Sequence, residues 1–297
     1  MALWEQVTEA GTIDELVEDS VRAGQPKTAR TIHDWVARGL LDRPQRRTRH
    51  RGSDKALHSV RQRQLFLVLL DKSAATPKLN TLAQIPLATW LYWGDDWVPT
   101  RQAARAMRTW LGDATRNLEV AEQGARGLLA QLDHPQATDS ARAKLVRLGT
   151  ALGSRPRFTP ADKAELAAAA REVFQPAHTF APSGLTRAIG HPEAPVTVES
   201  FIGITEAIKA GISHITGARQ GKARDLRPSD AQMERVRRVH RRHMPEYLNR
   251  RPIWAAAAPP ALQGMFTEPT MQERFNSVGR DFLIGIGFDV LHGGRLP

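Results

Sequence analysis

Hydrophobic residues recur at spacings of three and four along most of the chain, which predicts a mainly α-helical protein. The first helix is expected over 13–22 and the second over 28–39. In the second, Ile32, Trp35 and Val36 share one face, which should pack in a hydrophobic core. Two helices joined by a short turn that contains Gly and Pro form the arrangement of a helix-turn-helix.

The rest of the chain carries the same periodicity, with few signals for strands. Gly39 is expected to end the second helix, and Leu40 and Leu41 are expected to return to the core. Residues 175–198 are rich in Pro and Gly, which predicts an irregular connector. Further helices are predicted over 60–70, 79–93, 100–132, 141–152, 160–174, 201–215, 229–243 and 269–286.

The helix predicted over 100–132 carries a heptad seam, with apolar or small residues at alternating spacings of three and four. A helix of that length would be about 50 Å long at ~1.5 Å per residue. We expect this seam to pair two copies of the chain; the alternative is an intramolecular hairpin within one large helical domain. The seam consists of Met107, Leu111, Ala114, Leu118, Ala121, Ala125, Leu128 and Leu132.

Charge divides the chain into two basic islands and a slightly acidic remainder, within a formal net charge of +11. Residues 22–63 carry twelve Lys or Arg and three Asp, and residues 219–251 carry eleven Lys or Arg and four acids. Clustered positive charge on a neutral body is typical of a surface that binds a polyanion. In the second island we expect a basic surface formed by Arg235, Arg238 and Arg242.

The first island joins an amphipathic helix to an arginine-rich loop over 43–51. A helix followed by such a loop suits a protein that places the helix in a DNA groove and neutralises phosphates with the loop. The expected DNA-binding residues are Lys27, Thr28, Arg30 and His33 on the second helix, and Arg46, Arg47, Arg49 and Arg51 in the loop.

Residues 12–72 resemble the DNA-binding domain of MerR-type winged helix-turn-helix proteins, and the resemblance extends loosely to residue 132. The family's second helix reads like Ser-Val-Arg-Thr-Ile-Arg-Tyr-Tyr, then three variable residues and Gly-Leu-Leu. Here the chain has Thr28-Ala-Arg-Thr-Ile-His-Asp-Trp35, then Gly39-Leu40-Leu41, followed by Pro44 and the arginines. The resemblance implies a recognition helix over 28–39, a wing over 44–54 and a long dimerisation helix.

Two departures from the family pattern concern the proposed DNA contacts. Gly52 is followed by Ser53 and Asp54 where the family has Tyr-Arg, and Asp34 stands where an aromatic residue is expected. Asp34 would weaken binding or accept a hydrogen bond from cytosine N4. The chain has no cysteine, which excludes the thiol-based metal or redox sensing of this family and every disulfide.

No pattern in the sequence favours catalysis, a metal or a cofactor. The segment 217–223 resembles a phosphate loop but has Ala223 where Ser or Thr would hold magnesium. His240 and His243 are flanked by arginines, which disfavours a metal. Asp95 and Asp96 are explained better by a turn than by acid–base chemistry.

These patterns together predict a mainly α protein with three regions. They are a winged helix-turn-helix DNA-binding domain over 1–75, linker helices with the dimerisation helix over 76–133, and a helical effector or assembly domain over 134–297. The N-terminus lacks the features of a signal peptide, and no apolar run is long enough to span a membrane, so we expect a cytoplasmic, nucleoid-associated protein.

The first functional hypothesis is a dimeric, sequence-specific regulator of transcription that binds double-stranded DNA. Its C-terminal half would contact RNA polymerase or sense a small molecule. The second is an architectural or mobile-element protein, such as a phage or plasmid recombination, replication or partition factor. A third is an enzyme with a DNA-targeting domain, which no residue set supports.

Overall fold

The computed structural model shows a mainly helical chain, as the periodicity predicts. It describes residues 2–45, 56–75, 78–111, 122, 125–126, 129, 137–153, 155, 158–174, 188–189, 196–216, 228–257 and 271–293. Among the helices of these ranges, none combines the length and the apolar character that a membrane crossing requires. The chain divides into two compact units.

The first unit contains Met1–Gly112 together with Arg227–Arg237 and Phe275–Gly279. It begins with a 3-10 turn, Leu3–Gln6, and continues with six α-helices. They are α1 (Ile13–Arg22), α2 (Ala29–Ala37), α3 (Val60–Ala75), α4 (Leu79–Leu82), α5 (Gln84–Trp93) and α6 (Thr100–Leu111).

Helices α1 and α2 begin where the sequence places their caps. The Thr12 hydroxyl accepts a hydrogen bond from the Glu15 amide at 3.3 Å, and the Glu15 carboxylate accepts one from the Thr12 amide at 2.6 Å. The Thr28 hydroxyl caps α2 by accepting from the Thr31 amide at 3.2 Å. Each cap satisfies an amide that would otherwise lack a partner at the start of a helix.

The core of the first unit includes the apolar face predicted for α2. Ile32 and Trp35 are buried, whereas Val36, which was expected beside them, is only half-buried. The Trp35 ring meets that of Phe66 on α3 edge to face, with centroids 5.8 Å apart. Leu40 and Leu41 are fully buried, which confirms that the chain returns to the core after Gly39. Gly39 ends the helix with a φ of +81°, a conformation that favours glycine.

The second unit contains the remaining residues and is also helical. Its core joins α7 (Asp139–Gly153), α8 (Pro160–Phe174) and α9 (Val198–Thr216), with a cluster of buried side chains between them. Lys209 of α9 donates hydrogen bonds to the carbonyls of Leu152 and Gly153, which satisfies the end of α7. Two longer helices, α10 (Asp230–Ala257) and α11 (Met271–Leu291), contribute residues to both units, since Arg227–Arg237 and Phe275–Gly279 belong to the first.

Helices α9 and α11 cross at glycines, so their backbones approach closely. A Cβ atom on Gly287 would overlap the carbonyl of Ala207, and one on Gly211 would overlap the carbonyl of Leu283. These two positions therefore need glycine to keep the helices at their observed separation.

Several predicted elements were wrong in extent. Helices α3 and α11 each continue five residues past their predicted ends. Helix α10 was expected to end near residue 243, but it continues to Ala257 through Pro245 and Pro252. Both prolines are exposed, so a backbone carbonyl that lacks its N–H partner can hydrogen-bond to water. Alanines, which are strong helix formers, favour the last turn of the helix. Within the expected irregular connector, β1 (Ala188–Ile189) pairs antiparallel with β2 (Val196–Thr197).

Three seam positions in the described part of the predicted long helix contact the chain itself. Met107 and Leu111 of α6 are buried within the first unit. In the second unit, Ala125 lies close to Gly149 of α7. These contacts favour intramolecular packing for these positions, and Ala114, Leu118, Ala121, Leu128 and Leu132 lie outside the described residues.

Candidate nucleic-acid interface

Helix α2 turns a polar face outward, opposite to the face that packs on α3. Arg30 and His33 are exposed on this face, and Thr28 is exposed at its start. The amide of Lys27 donates to the Ser20 hydroxyl at 2.8 Å, which fixes the turn against α1. Lys27, Thr28 and Arg30 therefore lie at the N-terminal end of α2, where backbone amides also favour an anion. His33 lies about one turn further along the helix.

Asp34 does not leave an uncompensated negative charge on this face. Its two carboxylate oxygens accept hydrogen bonds from Arg38 Nε at 3.0 and 3.1 Å, one turn further along α2. An exposed pair of this kind adds little stability, but it brings a cation next to the carboxylate. The negative charge that Asp34 introduces is thus compensated by Arg38.

Other aspartates of the first unit are paired in the same way. Buried Asp19 accepts from Arg63 at 2.5 and 3.0 Å and from Arg22. By contrast, Lys27, Arg30 and Arg43 have no carboxylate partner within the part of the chain that the structure describes. The cations of residues 27–43 that lack a carboxylate partner in the described ranges therefore lie on α2, directly before it and shortly after it.

Gln45 and Leu57, on either side of the predicted wing arginines, form an antiparallel bridge, and a second bridge joins Gly11 to His58. Gln45 and Leu57 exchange two backbone hydrogen bonds, of 2.8 and 3.0 Å, and Gly11 and His58 exchange two more, of 3.0 and 2.7 Å. The ends of the loop are thus held side by side and attached to the segment before α1. The predicted wing residues Arg46, Arg47, Arg49 and Arg51 lie between these ends, outside the described residues.

His58 is buried at the base of this loop. Burial lowers the pKa of His58, and the nearby Asp42 carboxylate opposes that shift in part. The folded state therefore favours the neutral imidazole of His58 at neutral pH.

The end of α2 is held against α6 by a network of buried polar groups. The amide of Asp42 donates to the Gln62 side chain at 2.7 Å, and Gln62 donates to Gln102 Oε1 at 2.8 Å. Gln102 in turn donates to the carbonyl of Leu40 at 2.9 Å. Because each buried amide has a partner, this network fixes the residues directly after the exposed face of α2.

An ion-pair cluster completes the same attachment. The Asp42 carboxylate accepts hydrogen bonds from Arg101 at 2.5 Å and from Arg105 at 3.1 Å, both on α6. Burial opposes ionisation of Asp42, but hydrogen bonds from Arg101, from the Arg43 amide and from Arg105 together lower its pKa. Sequence reasoning missed this cluster because its members are about sixty positions apart.

The second basic island forms part of the outer surface of α10. Arg238 and Arg242 are exposed, as predicted, and Arg241, which the prediction did not include, is exposed beside them. Arg235 differs, because it is half-buried and its Nε is enclosed. The helical spacing of 238, 241 and 242 was the signal that could have identified the third arginine.

The structure gives the residues that were considered for catalysis or metal binding other roles where it describes them. Asp95 accepts hydrogen bonds from the Thr100 amide at 2.8 Å and from Trp90 Nε1 at 3.1 Å, so it anchors the turn before α6. His240 is buried, and the side chain of His243 and the segment 217–223 lie outside the described residues. Within the described ranges, no group of three His, Asp or Glu residues could hold a metal ion.

The described candidate residues thus lie in separate places: the outward face of α2 and the base of the arginine-rich loop in the first unit, and the arginines of α10 from Arg238 onward in the second. In comparisons with known proteins, no family model, no curated protein and no solved structure matches the chain.

Proposed function

We propose that the protein is a sequence-specific DNA-binding regulator of transcription that inserts α2 into the major groove. The observation that carries the proposal is the exposed face of α2, where Arg30 and His33 lie free while Asp34 is matched by Arg38. The adjoining loop contributes several arginines between two ends that the Gln45–Leu57 pair holds together. This combination suits a winged helix-turn-helix, in which one helix reads bases and a neighbouring hairpin contacts phosphate.

Each cation has a chemical role in this proposal. Arg30 reaches guanine O6 and N7, a bidentate contact that distinguishes G·C from the other base pairs. Lys27, Thr28 and Arg43 contact phosphates, as do Arg46, Arg47, Arg49 and Arg51, and these contacts give affinity and salt dependence rather than sequence choice. The hydrogen-bond network of Gln62, Gln102 and Asp42 holds the end of α2 in position when the exposed face of α2 binds DNA.

The test is Arg30→Ala, measured on duplex DNA that the protein has selected from a random library and on an unrelated duplex. We expect specific binding to weaken by roughly 1–3 kcal/mol, about 5- to 150-fold, with a smaller loss on unrelated DNA. Arg126→Ala is the matched control, since Arg126 is an exposed arginine that pairs with Glu122 in the second unit. Unchanged specific affinity in Arg30→Ala would rule out this docking of α2.

A second candidate function, an architectural or mobile-element DNA-binding protein, is favoured by the arginine surface on α10. A protein of that class would coat DNA cooperatively, whereas a regulator would form discrete complexes that electron microscopy can distinguish. The homodimer and a contact of the C-terminal half with RNA polymerase or a small molecule stay predictions.

A further inference from the structure

We propose that Arg238, Arg241 and Arg242 on α10 form a second, sequence-independent contact with the phosphates of duplex DNA. The choice of ligand rests on the proposed function, because it takes DNA as the polyanion. The surface lies in the second unit, whereas the recognition face of α2 lies in the first. The protein would therefore hold DNA through two separate sets of cations.

The three arginines share one turn of α10 and point outward. Residues three and four positions apart on a helix are neighbours, with about 5–6 Å between their Cβ atoms. The opposite face of the helix is fixed by packing, since Met233, Val236 and His240 are buried. The outward direction of the three side chains is thus set by the helix rather than by chance exposure.

These arginines differ from other arginines of the second unit in having no carboxylate partner within the described ranges. Arg126 pairs with Glu122 at 2.7 Å, Arg142 pairs with Asp139 at 2.8 Å, and Arg155 pairs with Asp162. Within the same helix, Arg237 turns inward, pairs with Glu234 at 3.1 Å and lies over the Trp90 ring at 5.4 Å.

Three unmatched cations on one turn repel one another, because like charges three or four residues apart destabilise a helix. An anion that contacts all three would remove this repulsion. Guanidinium groups match phosphate especially well, because their planar forks donate two parallel hydrogen bonds. A row of phosphates is the ligand that could engage several forks at once.

A membrane surface fits this turn less well than DNA does. A helix that lies on a lipid surface needs apolar side chains beside its cations. The exposed apolar residue Ile253 is eleven positions beyond Arg242, about three turns further along α10. Between Arg242 and Ile253, the exposed side chains that the structure describes are those of Pro245, Asn249 and Pro252, none of which is a large apolar residue.

The experiment measures binding of the full chain to a random-sequence 30-base-pair duplex over a series of salt concentrations. The variant Arg238→Gln, Arg241→Gln, Arg242→Gln should lower the slope of log K against log salt by about 2–3, since each phosphate contact contributes about 0.9. The control Arg126→Gln, Arg142→Gln, Arg155→Gln removes the same formal charge from paired arginines and should lower the slope by less than 1. Arg242→Gln alone should lower it by about 1.

An unchanged slope in both the triple variant and Arg242→Gln would overturn the inference. So would a triple variant that keeps its DNA slope but loses binding to phosphatidylserine vesicles or to polyglutamate. If Arg30→Ala abolishes sequence preference while the triple variant matches the parent, the proposed function stands and this inference fails. If the parent shows no sequence preference but the triple variant lowers the slope, the inference stands and the proposed function fails.

Discussion

At the scale of single residues, Asp19, Asp34 and Asp42 each lie within hydrogen-bond distance of an arginine. The three pairs differ in burial and in which parts of the chain they join. Asp19 and Asp42 are buried and join elements distant in sequence, whereas Asp34 is exposed and pairs along its own helix. Removing one partner of a buried pair leaves an uncompensated charge, so the arginines of these two clusters have a structural role.

Buried histidines predict how stability depends on pH. Burial lowers the pKa of His240 to about 4. The unfolded chain takes up a proton at this residue below about pH 6.5, whereas the folded chain does so only near pH 4. Between these values the unfolded state binds more protons, so stability falls as pH falls, by up to about 3 kcal/mol. Urea denaturation of His240→Gln between pH 7.5 and 4.5 should therefore show a weaker loss than the parent.

The control for this prediction is Val239→Ala, because Val239 is half-buried next to His240 on α10 and carries no titratable group. Its stability should follow the pH dependence of the parent. An acid loss in His240→Gln equal to that of the parent would show that other groups cause it. The pKa of His58 is lowered, as that of His240 is, so the stability of His240→Gln should still fall to some extent in acid.

At the scale of elements, the sequence predicted those features that depend on neighbours along the chain. Thr12 and Thr28 cap their helices through residues three positions away, and the apolar spacing of α2 assigned Ile32 and Trp35 to the core. The continuation of α10 through Pro245 was missed, because exposure, which makes an interior proline tolerable, is a property of the folded surface. The Gln62–Gln102 contact was missed because forty positions separate the two residues.

The contact between α2 and α6 predicts different costs for two glycine substitutions. Gly39 and Gly24 both have positive φ, which strains any other residue by roughly 1–2 kcal/mol. A Cβ on Gly39 would also overlap the backbone of Ala106 on α6, whereas one on Gly24 meets open space. Gly39→Ala should therefore destabilise the protein clearly more than Gly24→Ala, as measured by the midpoint of urea denaturation.

The same two variants also distinguish the effect of backbone strain alone from the effect of displacing α6. If α6 holds the end of α2, Gly39→Ala should weaken binding to the selected DNA at a temperature where the variant is still folded, because α6 must shift. Gly24→Ala should keep the affinity of the parent. Equal destabilisation by the two variants would contradict the close approach of α6.

At the scale of the whole molecule, sequence order is a poor guide to the units. Arg227–Arg237 and Phe275–Gly279 come from the C-terminal half, yet they belong to the first unit. The stacking of Arg237 on Trp90 explains why one of these segments joins it, since a guanidinium over an indole ring is a favourable contact. Nothing in the local pattern of either segment indicates this, because the partners are more than a hundred residues apart.

The heptad seam gives a prediction at the same scale, because it could serve either two copies or one chain. Met107 is fully buried within the first unit, so truncating it should leave a cavity inside a single chain. We expect Met107→Ala to lower the free energy of unfolding by about 2–5 kcal/mol and to leave the mass measured by light scattering unchanged. Val21→Ala is the control, since Val21 is 61% exposed and its truncation should cost less than about 0.5 kcal/mol. A halved mass in Met107→Ala would instead assign this position to the interface between two copies, the arrangement that the heptad pattern alone predicts.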